Sequence, residues 1–369
     1  MLARRTVPAT PVLIAVLLLV AMLSMAKTVL APLTFALLVI ALLWPMQRRM
    51  QRIVPRYVAL LVSLFVVVMA FVVFAWIVAW SFGQVGRWVI ADASRFQQHY
   101  EEIRLWLEDH GIVVAVLSAD SFSTASILRA VQTVSSRVNS AFSFWLIALT
   151  YVLLGIMEVE DFERRIAGMR SQVARKLLLD GSRQTAQKLR RYMAIRTVMS
   201  IATGLLVWLF ARAVGLPLAE EWGAIAFALN YIPFIGPLVA TLFPTMFALI
   251  QFDSWQSVLA IFLGLNLIQF TIGSYIEPRV SGNALSLSPV IVLFSVFAWG
   301  YLWGIFGAFI GVPISIALLT FCRHHPSSQW VVELLEPVAR ATRHHHRPRS
   351  AARFGQPRLP SAFRSFPRG

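Results

Sequence analysis

The sequence predicts an all-α, polytopic integral membrane protein with about eight transmembrane helices, and three observations support this class. Of the 369 residues, 58% are hydrophobic and 14% are charged, whereas soluble chains carry about 45–50% apolar and about 25% charged residues. The apolar residues form runs of the length, about 20 residues, that a spanning helix needs. The net charge of +16 is concentrated between and after these runs. Because basic loops of this kind are typical of a membrane protein, no nucleic-acid partner is expected.

Eight apolar runs are the candidate transmembrane helices. They cover residues 11–26, 28–44, 57–82, 141–157, 195–214, 222–252, 255–275 and 289–321. The first two are separated only by Lys27, and we expect them to form a tight hairpin. The last three belong to a region from Thr197 to Cys322 that contains only six charged residues.

The distribution of Lys and Arg predicts the orientation of these helices. The segment 157–196 holds ten Lys and Arg against five acidic residues, and the tail from Arg323 holds nine against two. The loop after the second run carries four arginines and no acidic residue. Because positively charged short loops stay in the cytoplasm, these three segments and both termini are expected there. The segment 83–140, with five basic and six acidic residues, is expected on the outer side.

These assignments divide the chain into six parts. The polar parts 83–140 and 158–194 show apolar residues at intervals of three or four, which is typical of amphipathic helices. The parts are 1–82, the first three transmembrane helices; 83–140, an extracytoplasmic amphipathic helical region; 141–157, the fourth transmembrane helix; 158–194, a cytoplasmic amphipathic region; 195–321, the C-terminal transmembrane core; and 322–369, a basic, largely disordered cytoplasmic tail.

The sixth run is interrupted by helix breakers. Pro233, Gly236 and Pro237 follow Asn230 and Tyr231 in the sequence NYIPFIGP. Because proline lacks an N–H and clashes with the preceding turn, the helix must kink or break here. The freed carbonyls and the Asn230 amide are then candidates to bind a polar solute or a cation. A structural kink packed against its neighbours is the alternative, and the sequence leaves both open. It also leaves open whether the run 222–252 spans once or dips in and returns.

The last run contains a second group of breakers, Gly307, Gly311 and Pro313. At 33 residues, 289–321 is too long for one straight span, so it forms either a re-entrant pair or a long tilted helix. The glycines at 300, 304, 307 and 311 recur every three or four residues, which favours close helix packing. Gly311 and Pro313 are kept as candidate residues of a transport path.

Polar residues of the seventh run are the third group of candidates. Asn266, Gln269 and Glu277 are expected near one helix face, and buried polar groups in membrane helices usually face the bundle interior. Glu277, Pro278 and Arg279 end this run. Glu277 is either a carboxylate that carries a proton or cation, or the partner of Arg279 at the membrane interface.

Three segments of this C-terminal half resemble the AI-2E family, the autoinducer-2 exporter family of bacterial membrane proteins. They are NYIPFIGP at 230–237, IEPRVSG at 276–282 followed by LSLSP at 285–289, and FAWGYLWG at 297–304 followed by GVP at 311–313. The resemblance implies an oligomeric transporter of the bacterial inner membrane with eight spans. Some members of the family are linked to export of autoinducer-2, a quorum-sensing signal, and others to Na⁺(Li⁺)/H⁺ exchange.

Three functions therefore stay open. The first is export of a small polar solute, with autoinducer-2 as the candidate. Export is expected to be gradient-driven, since the nucleotide-binding pattern GxxxxGK followed by Ser or Thr is absent from the sequence. The second is a cation/proton antiporter that uses Glu277 or Asp253. The third is a scaffold that transports nothing and binds partners through 83–140. The sequence contains neither HExxH nor GxSxG, so we expect no enzymatic activity, cofactor or metal. The expected partners are the lipid bilayer, a small polar solute or cation, and other copies of the chain.

Overall fold

A computed structural model describes residues 9–92, 124–252, 254–281, 287–324 and 328–330, together with positions 98, 105 and 109. The regular structure in these ranges is helical, which confirms the all-α class. Among the described residues, six helices are long and apolar enough to cross a membrane. The helices are α1 (Ala9–Met25), α2 (Lys27–Met50), α3 (Arg56–Ala91), α4 (Thr124–Ala167), α5 (Gln172–Ala213), α6 (Ala219–Leu229), α7 (Ile235–Gln251), α8 (Trp255–Phe270), a π-helical segment (Thr271–Ile276), α9 (Glu277–Ser281) and α10 (Pro289–His324).

Several helices extend far beyond the apolar runs. With 36, 44 and 42 residues, α3, α4 and α5 are about 54–66 Å long, whereas the hydrocarbon core is about 30 Å thick. The ends of the region 83–140 therefore belong to α3 and α4, and most of its centre lies outside the described residues. The region 158–194 is divided between α4 and α5. The tail beyond 330 and Asp253 also lie outside the described residues.

The junction of α1 and α2 differs from the expected tight hairpin. Ala26 has φ −85° and ψ 13°, which is close to helical. Its N–H donates to the carbonyl of Met22, and its own carbonyl accepts from Leu30. A reversal needs a residue outside the helical region of φ/ψ space, so the chain does not turn back here. The described side chains of residues 13–22 are accordingly exposed rather than packed along α2.

The sixth apolar run forms a helical hairpin, the first hairpin, which consists of α6, the tip Asn230–Phe234 and α7. Its two helices lie side by side, because the rings of Trp222 in α6 and Phe247 in α7 are 5.3 Å apart. The tip contains Phe234 at φ +64°, a conformation that a side chain rarely adopts. Gly236 follows, and a Cβ there would lie 2.0 Å from the Leu229 carbonyl oxygen. The run 222–252 therefore folds back on itself as a re-entrant pair of helices.

The long helix α10 is also folded back on itself, and it forms the second hairpin. Gly304 has φ 69° and ψ −149°, far from helical geometry. The hydroxyl oxygens of Ser295 and Ser315 are 2.6 Å apart, whereas twenty residues of straight helix would separate them by about 30 Å. The chain reverses at Gly304, and the two legs pack antiparallel. Of the two alternatives for 289–321, the re-entrant pair is the one that forms.

The two hairpins approach α5 from opposite directions. The open end of the first lies at the end of α5, where Arg212 pairs with Glu220 at 3.1 Å. The open end of the second lies near the middle of α5, where the Lys188 ammonium donates to the Thr320 hydroxyl at 3.1 Å. Separate clusters of buried apolar side chains surround the two hairpins, and α5 contributes Val207 and Leu189 to them respectively. The long helix α5 is thus the element that the two hairpins share.

Two close approaches fix this packing. Gly204 of α5 faces Gly223 of α6, and a Cβ on either would lie within 2.9 Å of the other's carbonyl oxygen. Small residues permit such backbone contact in membranes. Nearer the start of α5, the Arg190 guanidinium donates to the Ala41 carbonyl in α2 at 2.9 Å. That carbonyl lacks its normal helical partner, because Pro45 has no N–H to donate.

The contact between the legs of the second hairpin gives a stability prediction. A Cβ at Gly307 would lie 1.9 Å from the Trp299 carbonyl oxygen, whereas a Cβ at Gly300 would be 3.4 Å from Ala308. Because the clash is with backbone, we expect Gly307→Ala to lower the free energy of unfolding in detergent by about 1–3 kcal/mol or more. Gly300→Ala is the matched control and should be close to wild type. Equal melting temperatures for the two variants would contradict the hairpin packing.

Candidate functional site

Four polar side chains form a stripe along one face of α5, which we call the polar stripe. They are Tyr192, Arg196, Ser200 and Thr203, and they recur at intervals of four, four and three residues, which places them on one side of a helix. All four are buried, and Arg196 is 8% exposed. A buried charge within a membrane protein is costly and usually marks a functional position. The polar stripe therefore marks the candidate site.

Arg196 forms an ion pair with Glu277. The distance from Nη1 to Oε2 is 3.3 Å, and the two side chains are 9% and 19% exposed. Glu277 starts α9 directly after the π-helical segment. An extra residue per turn of this kind changes which face the following side chains occupy, and it is frequent at functional sites. Tyr192 also contacts the guanidinium, with its hydroxyl 3.4 Å from Nε and its ring centroid 5.8 Å from Cζ.

The tip of the first hairpin binds the next turn of α5. The Asn230 amide donates to the Ser200 hydroxyl at 3.2 Å, and the Tyr231 hydroxyl donates to Thr197 at 3.1 Å. Asn230 and Ser200 are 5% and 0% exposed. These bonds satisfy side chains that would otherwise be buried without partners. They also place the broken backbone at 230–234 within one helical turn of Arg196.

The tip of the second hairpin approaches the same region from the other side. The indole of Trp303, next to Gly304, donates to the Leu23 carbonyl at the end of α1 at 3.0 Å. Further along the returning leg, the ring of Phe309 lies 5.8 Å from the ring of Tyr231. Ile232 of the first tip packs in the apolar cluster of the second hairpin. The two hairpins therefore contact each other beside α5.

A continuous set of nine aromatic rings, the aromatic cluster, surrounds this contact. Each ring has a neighbour in the cluster within 6.5 Å, as in the stacked pair Phe144 and Phe306, whose centroids are 3.9 Å apart. Edge and stacked contacts of this kind are favourable beyond the apolar area that they bury. The members are Phe35, Phe71, Phe74, Phe144, Trp145, Phe227, Tyr231, Phe306 and Phe309. They connect α2, α3 and α4 to both hairpins, and all nine are half-buried rather than fully enclosed.

The structure brings together some of the residues that the sequence selects. Asn230 and Glu277 bind members of the polar stripe, and Tyr231 binds the neighbouring Thr197. Pro233 lies in the same hairpin tip as Asn230 and Tyr231. Gly236 and Pro237 begin α7, and Gly311 and Pro313 lie buried in the returning leg of the second hairpin. There Gly311 packs against the Ser295 carbonyl.

The remaining candidates lie apart from the polar stripe. Asn266 is exposed, and its amide donates to the Phe262 carbonyl of its own helix at 2.8 Å. The Arg279 guanidinium stacks on Tyr275 at 3.6 Å. Pro278 follows Glu277 in α9. Gln269 is half-buried, and its amide nitrogen has no hydrogen-bond partner among the described residues. Of the two interpretations of Glu277, pairing with Arg279 is wrong, since its partner is Arg196.

Sequence reasoning missed the α5 side of the site. Arg196 was counted among the basic residues of 157–196, because it stands at the boundary between a charged and an apolar segment. Tyr192, Thr197 and Ser200, which also belong to the α5 side, are ordinary helix residues when taken singly. The missed signal is the spacing: Tyr192, Arg196, Ser200 and Thr203 recur on one face and continue into the apolar run.

Comparison with known proteins identifies the family. The sequence profile of the AI-2E family transporters matches residues 12–326. The chain belongs to this family. It is 30% identical to the AI-2 transport protein TqsA of Escherichia coli (strain K12) over 54% of this chain and 57% of TqsA. YhhT and PerM of the same organism, provisionally named a transport protein and a permease, are 27% and 24% identical over 53% and 60% of this chain. They are matched over 54% and 64% of their own lengths. The chain thus spans somewhat over half the length of these relatives, and together these findings show a multi-pass membrane protein of a transporter family.

The ion pair of Arg196 and Glu277 gives a prediction about stability. Removing one partner of a buried pair leaves the other charge uncompensated, so Arg196→Gln and Glu277→Gln should each cost about 3 kcal/mol. The double variant should lose clearly less than the sum, as measured by a double-mutant cycle of unfolding in detergent.

The exposed pair Arg212 and Glu220, with side chains 67% and 55% exposed, is the matched control. Its coupling energy should be about 0–1 kcal/mol. A coupling energy for Arg196 and Glu277 as small as that of the control would show that their contact does not hold the π-helical segment to α5.

Proposed function

We propose that the protein is a secondary transporter for a small polar solute, and that the solute passes between the two hairpin tips along the polar stripe of α5. One observation carries the proposal: two interrupted helices, which approach α5 from opposite directions, meet beside a buried ion pair. Interrupted helices at the middle of a bilayer are a recurrent way to build substrate sites in transporters. They present backbone groups outside the regular helical hydrogen-bond pattern, which a continuous helix does not.

The arrangement suits a polar solute better than an apolar one. Asn230, Ser200 and Tyr231 offer amide and hydroxyl groups, and Arg196 and Glu277 offer charges. A solute that enters between the hairpins can exchange its hydrogen bonds with water for bonds with these groups. The half-buried aromatic cluster lies beside this route and can form its apolar wall. Small movements of the hairpins would change which side of the membrane the site faces.

The energy source in this proposal is an ion or solute gradient, because the sequence lacks the phosphate-binding motif that an ATP-driven pump would need. The similarity to TqsA, whose name describes transport of AI-2, supports autoinducer-2 as the first solute to test. We propose export as the direction.

The proposal includes the location of the chain. The basic segments after α2 and between α4 and α5, and the C-terminal tail, are assigned to the cytoplasmic side of the bacterial inner membrane by the positive-inside rule. Because the chain does not turn back at Ala26, α1 and α2 then cross as one span, which places the N-terminal end of α1 on the outer side rather than in the cytoplasm. The first hairpin then enters from the outer side and the second from the cytoplasm. We also propose a homo-oligomer, because α1 and much of α3 expose large apolar side chains that lipid or another copy must cover.

A Na⁺(Li⁺)/H⁺ antiporter is the second candidate function, and the position of Glu277 in the buried site favours it. A cation carrier needs a carboxylate at such a place. The geometry also argues against it, since Arg196 already compensates the charge of Glu277. A cation would have to displace the guanidinium before it could bind.

Flux through proteoliposomes tests the proposal. We expect efflux of autoinducer-2 from vesicles that contain the protein and none above background from empty vesicles. Pro233→Ala, which removes the breaker from the tip of the first hairpin, should lower the rate at least about tenfold, a barrier increase of about 1.4 kcal/mol. Pro244→Ala, which changes a proline inside α7, is the matched control and should retain the flux.

The same vesicles separate the alternatives. Na⁺-dependent proton movement that is lost in Glu277→Gln and kept in Glu220→Gln would replace the exporter with the antiporter. The absence of both fluxes from correctly folded wild-type protein would favour the non-transporting scaffold.

A further inference from the structure

The guanidinium of Arg196 is incompletely bonded. Arginine has five N–H donors in a planar fork, and Nε and Nη1 contact Tyr192 and Glu277. Among the described residues, Nη2 has no hydrogen-bond partner. Arg196 is nevertheless 8% exposed. Nη2 itself is not fully enclosed, so this arm of the guanidinium is accessible to another hydrogen-bonding group.

Glu277 is a weak partner for this guanidinium. It contributes one oxygen, at 3.3 Å, whereas charge-assisted arginine–carboxylate bonds are commonly bidentate and about 2.7–2.9 Å long. Its second carboxylate oxygen has no hydrogen-bond partner among the described residues. The two side chains thus touch without using their full bonding capacity, and a better-placed anion can compete for the same donors.

Neutral hydrogen-bonding groups lie on the adjacent turn. Ser200 is four residues after Arg196, and it holds the Asn230 amide at the tip of the first hairpin. Thr197, which follows Arg196 directly, holds the Tyr231 hydroxyl. A solute that places a negative group on Arg196 can therefore extend its uncharged polar part toward this tip.

We propose that Arg196 is the specificity-determining residue of the transport site, and that it binds a carboxylate or phosphate oxygen of the solute. Glu277 pairs with the guanidinium when the site is empty, and the solute displaces Glu277 when it binds. The inference rests on the proposed function and deepens it, because it names the class of solute as small and anionic. The exchange also keeps Arg196 compensated in both states, which avoids an unpaired buried charge.

Anion binding to the purified protein tests this assignment without any transport. The probes are sodium acetate and sodium phosphate at constant ionic strength, with acetamide as the uncharged analogue of acetate. The readout is the melting temperature of the full chain in detergent as a function of probe concentration, which follows binding to the folded state. The variants are Glu277→Gln, Arg196→Gln and Arg196→Lys, with Arg212→Gln as the control for a surface arginine.

We expect a saturable rise in melting temperature with acetate or phosphate and none with acetamide. In Glu277→Gln the competing carboxylate is gone, so the apparent Kd should fall at least tenfold. Arg196→Gln should abolish the effect, and Arg212→Gln should leave it unchanged. Arg196→Lys keeps the charge but loses the fork, so it should bind more weakly than wild type; it also serves as the test should Arg196→Gln fail to fold.

Three results would overturn the proposal. They are the absence of a saturable rise in both wild type and Glu277→Gln, an equal rise in wild type and the Arg196 variants, and an apparent Kd that Glu277→Gln leaves unchanged. Flux in the same preparations separates this inference from the proposed function. Saturable anion binding without any flux would contradict transport alone, and flux of an uncharged solute without anion binding would contradict this inference alone.

Discussion

The structure depends on one constraint: inside a bilayer, every backbone N–H and C=O must find a partner within the protein. Each interruption of a helix is accordingly placed against another helix. The tip of the first hairpin lies against α5 through Asn230 and Ser200. Beside the reversal at Gly304, the Trp303 indole binds the last turn of α1. The carbonyl that Pro45 leaves free in α2 receives Arg190 of α5. The polar stripe of α5 therefore helps an interrupted helix to pack in this position. It also places charged and hydrogen-bonding side chains beside the interruption.

Much of the fold follows from the sequence, because apolar runs and helix breakers act locally. The all-α class and the interruption near Pro233 could be predicted for this reason. Whether a long apolar stretch crosses once or returns depends on a single residue and on its neighbours. Gly304 at positive φ reverses α10, yet in the sequence it is one of several evenly spaced glycines. The junction at Ala26 was misjudged for the opposite reason, since a short polar interruption does not by itself reverse a helix.

Only the part of the candidate site outside α5 could be predicted, because it contains residues that are unusual in an apolar segment. Asn230, Tyr231 and Glu277 could be predicted because they lie next to prolines, or carry an amide or a carboxylate, in apolar surroundings. Their partners on α5 are separated from them in sequence, and the pairing of Glu277 with Arg196 joins residues 81 positions apart. The nearer Arg279 is the natural guess from the sequence. The π-helical segment overturns it, because its extra residue turns Glu277 toward α5 while Arg279 stacks on Tyr275. No local pattern predicts that rotation.

The opposed hairpins depend most directly on the reversal of α10, which a cross-link can measure. Ser295→Cys and Ser315→Cys are combined in a chain whose only native cysteine, Cys322, is replaced by serine. The hydroxyl oxygens of the two serines are 2.6 Å apart, so mild oxidation should form a disulfide within one chain. Mass spectrometry of digests from mixed light and heavy isotope-labelled chains distinguishes that disulfide from one between copies. A straight helix would hold the two positions about 30 Å apart, and absence of the intrachain disulfide would contradict the opposed hairpins and the site built between them.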